Sequence, residues 1–219
     1  MFIIILPLFP QYASSSTGSA VEEALRIINK WWVIPHLKVI GQFWSHPAFI
    51  DSFVKRAMEY NLDDYEHILF SYHGLPERQV DKVHLDGRSC EYHKCREEIN
   101  EDNQYCYLAT CYATTRLLVE RLNIAEGSYS LAFQSRLNDR WLSPFSDKVV
   151  AQKAKEGVKK MLVFSPAFIA DCLETTVEIG IEYKEIFQQN GGGKLTLVES
   201  LNDRQDWVEA IGEILLEPF

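Results

Sequence analysis

The sequence lacks a basic excess, a long apolar run and a basic N-terminal leader. Its 219 residues include 22 Lys and Arg against 31 Asp and Glu, a formal net charge of −9, which argues against nucleic acid as a partner. No run approaches the roughly 20 apolar residues of a membrane-spanning helix. The apolar residues 1–6 follow no basic segment and are interrupted by Pro7 and Pro10. We interpret them as a strand and turn, not a signal peptide, and expect a cytoplasmic protein.

Patterns typical of strands and of helices alternate along the chain, and the hydrophobic content of 47% is enough for a substantial core. Short apolar runs predict strands, and apolar residues at helical spacing predict helices. The predicted strands are 2–8, 37–40, 66–70, 129–133, 160–164 and 195–198. The predicted helices are 21–30, 47–60, 114–122, 146–155, 171–189 and 206–216. This alternation predicts an α/β fold with doubly wound parallel sheets.

The chain begins inside a predicted buried strand. We therefore expect it to be the C-terminal portion of a longer protein whose first domain is incomplete here. Residues 1–60 are assigned to the end of a first Rossmann-like domain and a crossover. Residues 61–219 are assigned to a second Rossmann-like domain with a cysteine-rich insertion at about 84–112. An unpaired sheet edge would be exposed in such a piece, so we expect the chain alone to be poorly soluble or inactive.

A histidine ends the apolar run in ILFSYHGLPERQ, residues 68–79. Ligands of open α/β sheets gather at the carboxyl ends of the strands, which places His73 where chemistry occurs. The alternative is a histidine that only satisfies a turn. A neutral imidazole can accept protons or bind borderline metals.

Carboxylates recur along the predicted helix that follows strand 160–164. Glu174, Glu178 and Glu182 are spaced by four residues, with Glu185 one step round the helix, so successive members would lie roughly 6 Å apart. Charge runs are commonly solvated faces. This run starts at a strand exit, however, and has no neutralising lysines at i+4. It favours cation handling or proton transfer.

Four cysteines lie within 22 residues in a C-x4-C-x10-C-x4-C pattern: Cys90, Cys95, Cys106 and Cys111. In a cytoplasmic chain this favours metal ligands over disulfides or unrelated thiols. The spacing is looser than that of a zinc ribbon, so zinc and an iron–sulfur cluster both stay open. His84 and His93 are assigned to the surface, since four sulfurs would complete the ligand set. Cys172 is interpreted as an isolated residue.

Four segments, in this order, resemble motifs of the ferrochelatases, which insert ferrous iron into protoporphyrin to give heme. They are LPLFPQYASSSTGSA, SYHGLPERQ, AFQSRLNDRWLSPFSDKVV and SPAFIADCLETTVEIGIEYKEIF. The resemblance runs from Ile3 to the last helix. It implies a chelatase-like two-domain fold, a lyase activity with porphyrin and Fe²⁺ as partners, and a cytoplasmic location with possible peripheral attachment to the inner membrane.

The resemblance also implies roles for individual residues. The family's catalytic histidine falls on His73, and its essential acidic residue falls on Glu174. The residues implied to handle metal are His73, Glu174, Glu178 and Glu182. The residues implied to bind the porphyrin are Ser15, Gln134 and Trp141.

The cysteines resemble those of a bacterial subgroup with an internal [2Fe-2S] site. The vertebrate-type cluster is not expected, because Ser14 stands where that cluster needs a cysteine and the sequence stops at Phe219. The resemblance implies a [2Fe-2S] cluster on Cys90, Cys95, Cys106 and Cys111, with zinc as the alternative. Its role would be structural or sensory, because metal insertion transfers no electrons.

Two other functions are compatible with the sequence. A related cobalt chelatase acting on a tetrapyrrole would share the fold, but those enzymes tend to carry a second catalytic histidine, where this chain has Cys172. The second alternative is a non-catalytic remnant that binds a metal or an iron–sulfur cluster. The motifs fit protoporphyrin and coproporphyrin equally, and they indicate no oligomeric state.

Overall fold

Parallel strands form two separate sheets in the computed structural model, which describes residues 1–217. In the first sheet, β1 (Phe2–Ile5) pairs with β2 (His36–Val39). The second sheet has the order β4-β3-β5-β6 and consists of β3 (His67–His73), β4 (Tyr129–Gln134), β5 (Lys160–Phe164) and β6 (Lys194–Leu197). The predicted α/β class with parallel sheets is confirmed. The division into two domains at residue 60 stays a prediction.

Helices connect the strands of both sheets. They are α1 (Ser19–Ile28), α2 (Pro47–Ala57), α3 (Glu77–Asp81), α4 (Tyr107–Arg121), α5 (Ser146–Lys155), α6 (Lys184–Gln189) and α7 (Gln205–Leu216). Two π-helices, Ser14–Gly18 and Glu174–Tyr183, and a 3₁₀ turn, Leu62–Asp64, complete the elements. Within residues 1–217, no helix combines the length and the apolar character needed to cross a membrane.

The core is built around β3, which lies between β4 and β5. Residues 67–72 of this strand are all buried, as expected for a central parallel strand covered on both faces. Phe70 stacks on Phe164 of β5 with ring centroids 5.3 Å apart. Trp207 of α7 packs edge-on against Phe49 of α2. The strand is therefore held rigidly, and its last residue, His73, is held at the carboxyl edge of the sheet.

Several predicted bounds differ from the observed ones; the strand predicted over 2–8, for example, ends at Ile5. Three differences bear on the site. β3 continues past residue 70 to His73, because Tyr72 and His73 pair with Phe133 and Gln134 of β4. α4 begins at Tyr107 and not at residue 114, and its first turns are buried in the core. The single α-helix predicted over 171–189 is wrong, since residues 174–183 form a π-helix before α6 begins.

Candidate functional site

A cleft of about 540 Å³ opens at the carboxyl end of β3. Its wall comes from the segment after β1, from the end of β3 and from the segment after β5, and includes Phe9, Ser15, His73, Tyr107, Phe168 and Glu174. Three residues that the sequence singled out, Ser15, His73 and Glu174, therefore share one cleft. Gln134, Trp141, Glu178 and Glu182 are not among its lining residues.

The imidazole of His73 has a defined orientation and tautomer. Its Nδ1 lies 2.6 Å from the carbonyl oxygen of Gly74. Because a carbonyl oxygen only accepts, Nδ1 carries the proton and the lone pair of Nε2 is left for another partner. The rings of Trp141 and Phe168 lie near the imidazole, with centroids 6.5 and 6.2 Å from that of His73.

The turn after His73 packs directly on the end of β4. The amide of Gly74 donates a 2.8 Å hydrogen bond to the carbonyl of Gln134. A Cβ atom at residue 74 would meet that same carbonyl oxygen at 2.8 Å, so only glycine fits. The segment that carries Trp141 pairs with the next residues of the turn, since the amide of Leu142 donates to the carbonyl of Leu75 at 2.9 Å. Trp141 is thus placed beside His73 and outside the cleft lining.

Glu174 is the first residue of the π-helix and is partly exposed. A hydrogen bond from the Cys172 thiol lowers the pKa of its carboxyl group, and its own backbone amide and the nearby His73 act in the same direction. Burial and the Glu174 carboxylate raise the pKa of the Cys172 thiol. Cys172, interpreted from the sequence as an isolated residue, is therefore the hydrogen-bond partner of an ionised Glu174.

The side chain of Glu178 is bound to the end of β4. Its carboxylate accepts hydrogen bonds from the amide and hydroxyl of Ser135 at 2.8 and 2.5 Å, and from the Tyr183 hydroxyl at 2.7 Å. Ser135 has a φ of 61°, a left-handed conformation that is uncommon outside glycine. The sequence did not indicate these partners, because Ser135 and Glu178 are far apart along the chain.

Gln134 connects β3, β4 and the π-helix. Its amide nitrogen donates to the carbonyl of Glu174 at 2.6 Å and more weakly to the Glu178 carboxylate at 3.2 Å. Its amide oxygen accepts from the Ser71 hydroxyl at 2.8 Å. Gln134 is 1% exposed, so its amide is fully engaged in positioning the start of the π-helix.

The carboxylates do not form the even stripe expected of an α-helix. The carboxylate of Glu178 is turned toward Ser135 and Tyr183, which donate hydrogen bonds to it. Glu182 and Glu185 are both exposed. A role for Glu182 in metal handling stays a prediction.

A second group of ligand-type side chains lies in the loop before α4. One ligand atom each from His84, Cys90, Cys95 and Cys106 lies within 4.8 Å of the other three, and all four residues are buried. The assignment of His84 to the surface is wrong, since it is 4% exposed. Cys111, expected in this set, is not a member.

Hydrogen bonds couple the titration of the three grouped cysteines. Hydrogen bonds from Cys90 and Cys95 lower the pKa of Cys106 to about 3. The same contact with Cys106 raises the pKa of Cys95 to about 12. Cys111 stands apart, and burial raises the pKa of its thiol. Convergent sulfurs and an imidazole in one buried site can bind a metal ion.

Two comparisons of the sequence with known proteins agree on one family. The sequence profile of the ferrochelatases matches residues 2–218. Curated ferrochelatases of Legionella pneumophila (strain Lens) and Pseudomonas fluorescens (strain Pf0-1) are 40% and 39% identical to this chain over 99% and 97% of its length. The match covers 65% of the Legionella protein and 63% of the Pseudomonas protein, so the chain spans just under two thirds of their length.

A solved structure supports the fold. SirB from Bacillus subtilis, determined with Fe³⁺, superposes with a TM-score of 0.57 at 11% sequence identity. The superposition covers 98% of this chain and 72% of the SirB chain. At this identity the likeness concerns the fold alone. Given the profile match over residues 2–218, this chain belongs to the ferrochelatase family.

Proposed function

We propose that this chain forms the larger part of a ferrochelatase, a lyase that inserts Fe²⁺ into a porphyrin, with protoporphyrin IX as the substrate, to give heme. The observation that supports this most is that His73 and Glu174 reach one cleft from different elements, β3 and the π-helix. Family membership supports the same reaction.

Two demands of metal insertion correspond to these two side chains. Two pyrrole N–H protons must leave the macrocycle, and the incoming Fe²⁺ must exchange its water ligands for nitrogens. We assign proton acceptance to Nε2 of His73, because Nδ1 is occupied by the Gly74 carbonyl. We assign metal handling and onward proton transfer to the carboxylate of Glu174, which its neighbours keep ionised.

The cleft suits a flat, largely apolar substrate. Phe9, Leu75 and Phe168 supply apolar wall, and aromatic side chains contribute much of the contact energy in such sites. We propose that Ser15 contacts the porphyrin directly, since this residue belongs to the cleft lining. Trp141 would affect porphyrin binding indirectly, by positioning His73. Gln134 would do so by positioning Glu174.

Glu178 and Glu182 complete the proposal. Glu178 lies one turn beyond Glu174 and is tied to Ser135. Glu182 lies further along the same helix at the surface. We propose that metal reaches Glu174 along this side of the helix. A cytoplasmic location and peripheral membrane attachment remain part of the proposal.

The test combines porphyrin binding with metal insertion. Protoporphyrin IX fluorescence is titrated against the chain, and anaerobic insertion of Fe²⁺ is followed by the change in porphyrin absorption. Insertion by the chain alone is expected to be slow, so both quantities are measured on each sample. His73→Ala should keep porphyrin binding and lower insertion by at least about 100-fold.

The matched control is His36→Ala, which removes an exposed histidine of β2 and should leave both quantities unchanged. Insertion at the original rate by a folded His73→Ala protein would contradict the proposed role of His73. Metal binding without any porphyrin binding would favour the non-catalytic alternative.

A further inference from the structure

We propose that His84, Cys90, Cys95 and Cys106 bind a single zinc ion as a closed Cys₃His site, with Cys111 outside the ligand set. This goes beyond the proposed function, and it replaces the [2Fe-2S] cluster on four cysteines that the resemblance implied. The four side chains belong to a loop that is separate from the cleft of His73.

The distances between the ligand atoms fit one tetrahedral ion. Nε2 of His84 lies 3.5 Å from Sγ of Cys90 and 3.6 Å from Sγ of Cys95, and the Sγ atoms of Cys90 and Cys106 are 3.5 Å apart. Zn–S bonds of about 2.3 Å and Zn–N bonds of about 2.0–2.1 Å at tetrahedral angles require N–S edges of about 3.6 Å and S–S edges of about 3.8 Å. The three distances given are close to these values, and no pair of ligand atoms is more than 4.8 Å apart.

A binuclear cluster fits this group poorly. In a [2Fe-2S] cluster the four protein ligands are divided between two irons joined by two sulfides, so ligands on opposite irons stand much further apart than ligands on one metal. Here all four ligand atoms lie within 4.8 Å of one another, which leaves room for one ion. The fourth sulfur that the cluster would need, that of Cys111, lies in the second turn of α4 and is fully buried.

The ring of His84 is oriented as a metal ligand should be. Its Nδ1 lies 3.3 Å from the carbonyl oxygen of Asp102, to which only a protonated nitrogen can donate. Nε2 therefore directs a lone pair toward the sulfurs. Zinc-bound histidines commonly donate their other N–H to a carbonyl or carboxylate in this way. His93 stacks on the ring at 4.1 Å and is itself bonded to Asp86.

The loop that carries the ligands is held in place by buried polar contacts. Asn103 is fully buried, and its amide nitrogen donates to the carbonyls of His93 and Glu98 at 3.1 and 3.0 Å. The amide of Cys90 donates to the Asp81 carboxylate at 3.0 Å. Residues 82–106 contain no helix or strand, and a stretch of that length needs another source of order. A zinc ion bound in a closed site would supply that order.

The test measures metal content and coordination directly. The chain is purified without oxygen from cells grown with both iron and zinc, and zinc, iron and acid-labile sulfide are determined per protein. The same measurements are made on the His73→Ala variant, so that metal bound in the cleft can be distinguished from metal bound by the cysteine loop. We expect one zinc, no sulfide and no visible absorption. X-ray absorption at the zinc edge should give three sulfurs at about 2.3 Å and one nitrogen at about 2.0–2.1 Å.

Four variants distinguish the ligand sets. His84→Ala should lose at least about 10-fold in zinc affinity, measured by competition with a chelator, and His84→Cys should restore binding. Cys111→Ala and His93→Ala should each keep one zinc per chain. Circular dichroism confirms that each variant is folded.

Other results would overturn the site. A coloured protein with iron and sulfide that is lost in Cys111→Ala and kept in His84→Ala would establish the four-cysteine cluster. A folded protein that binds no zinc would also refute the proposal. Because no porphyrin is present, these outcomes are independent of whether the chain inserts iron.

Discussion

The hydroxyl of Tyr107 donates a 2.9 Å hydrogen bond to the main-chain carbonyl of His73. Tyr107 is the first residue of α4 and directly follows Cys106. Its ring is 6% exposed, and burial raises the pKa of its hydroxyl well above the usual value, so the group stays a donor at all ordinary pH values. The contact joins the cysteine loop to the strand end that carries the proposed catalytic imidazole.

Tyr107→Phe should therefore impair insertion more than porphyrin affinity. The substitution removes one hydrogen bond and leaves the His73 carbonyl without this donor, which should lower the free energy of unfolding by about 1–2 kcal/mol. We expect kcat to fall several-fold with little change in KM, because the ring of His73 loses its fixed position. Urea unfolding and steady-state insertion measure the two effects. A lower stability with an unchanged kcat would show that the bond is only structural.

Gly74→Ala should be strongly destabilising. Its Cβ would meet the carbonyl oxygen of Gln134 at 2.8 Å, so β3 and β4 would have to separate at the edge of the cleft. Gly212→Ala in α7 is the matched control, since nothing lies within 4 Å of the new Cβ and alanine favours a helix by about 1 kcal/mol. Thermal unfolding should show a lower Tm for the first variant and a higher Tm for the second. An equal change in Tm for the two variants would mean that the turn at residue 74 accommodates the added Cβ without a cost in stability.

Much of the fold was predictable because the strands are short, apolar runs with polar breaks. β5 and α5 were predicted with their observed bounds. The position of His73 at a strand end was also predictable from its local sequence. These features depend on local pattern, which a single sequence displays directly.

The parts that were not predictable depend on tertiary contacts. No local feature of the sequence marks His84 as a ligand or sets Cys111 apart from the other cysteines, and four cysteines are enough to complete a ligand set. Only the path of the loop brings His84 to the sulfurs and leaves Cys111 in the core. The π-helix was missed for a similar reason, since its first turn is fixed by Gln134 and Ser135, residues of another element.

Glu178→Gln should destabilise the protein. The carboxylate accepts from both donors of Ser135 and from the Tyr183 hydroxyl, and an amide NH₂ in its place would face donors. Leaving such a partly buried group unsatisfied costs about 1–3 kcal/mol. Glu182→Gln, on the same helix but exposed, should change stability by less than about 0.5 kcal/mol. Chemical unfolding of both variants tests this, and equal stabilities would contradict the importance of the Ser135 contacts.

Glu174→Gln should affect turnover more than any other change along the π-helix. It keeps the shape of a side chain that lines the cleft and removes its charge, so insertion should fall by at least about 100-fold while porphyrin affinity changes little. Glu182→Gln should have a smaller effect, visible mainly as a higher KM for Fe²⁺. A larger loss in Glu182→Gln than in Glu174→Gln would reverse the proposed direction of metal entry.

The pH dependence of stability should contain a contribution from His67. This residue begins β3, is 3% exposed, and its Nε2 lies 2.9 Å from the Ser130 hydroxyl. Burial and the charge of Lys153 lower its pKa, Glu156 opposes them with a smaller effect, and the net pKa is about 4. An unfolded histidine titrates near 6.5, so between about pH 6.5 and 4 the unfolded state binds more protons than the folded state. Stability from this group is therefore complete above about pH 6.5 and is lost as the pH falls toward 4.

The contribution is measurable as a difference between two proteins. Carboxylates also titrate in this range, so the free energy of unfolding of the wild-type chain is compared with that of His67→Gln, which stays neutral and can still bond Ser130. The stability of the wild type relative to this variant should fall by up to about 3 kcal/mol between pH 7 and pH 4, since each unit of pKa shift corresponds to about 1.4 kcal/mol. Urea unfolding at half-unit pH intervals resolves such a slope. Parallel stability curves for the two proteins would show that His67 is protonated in the folded chain despite its burial.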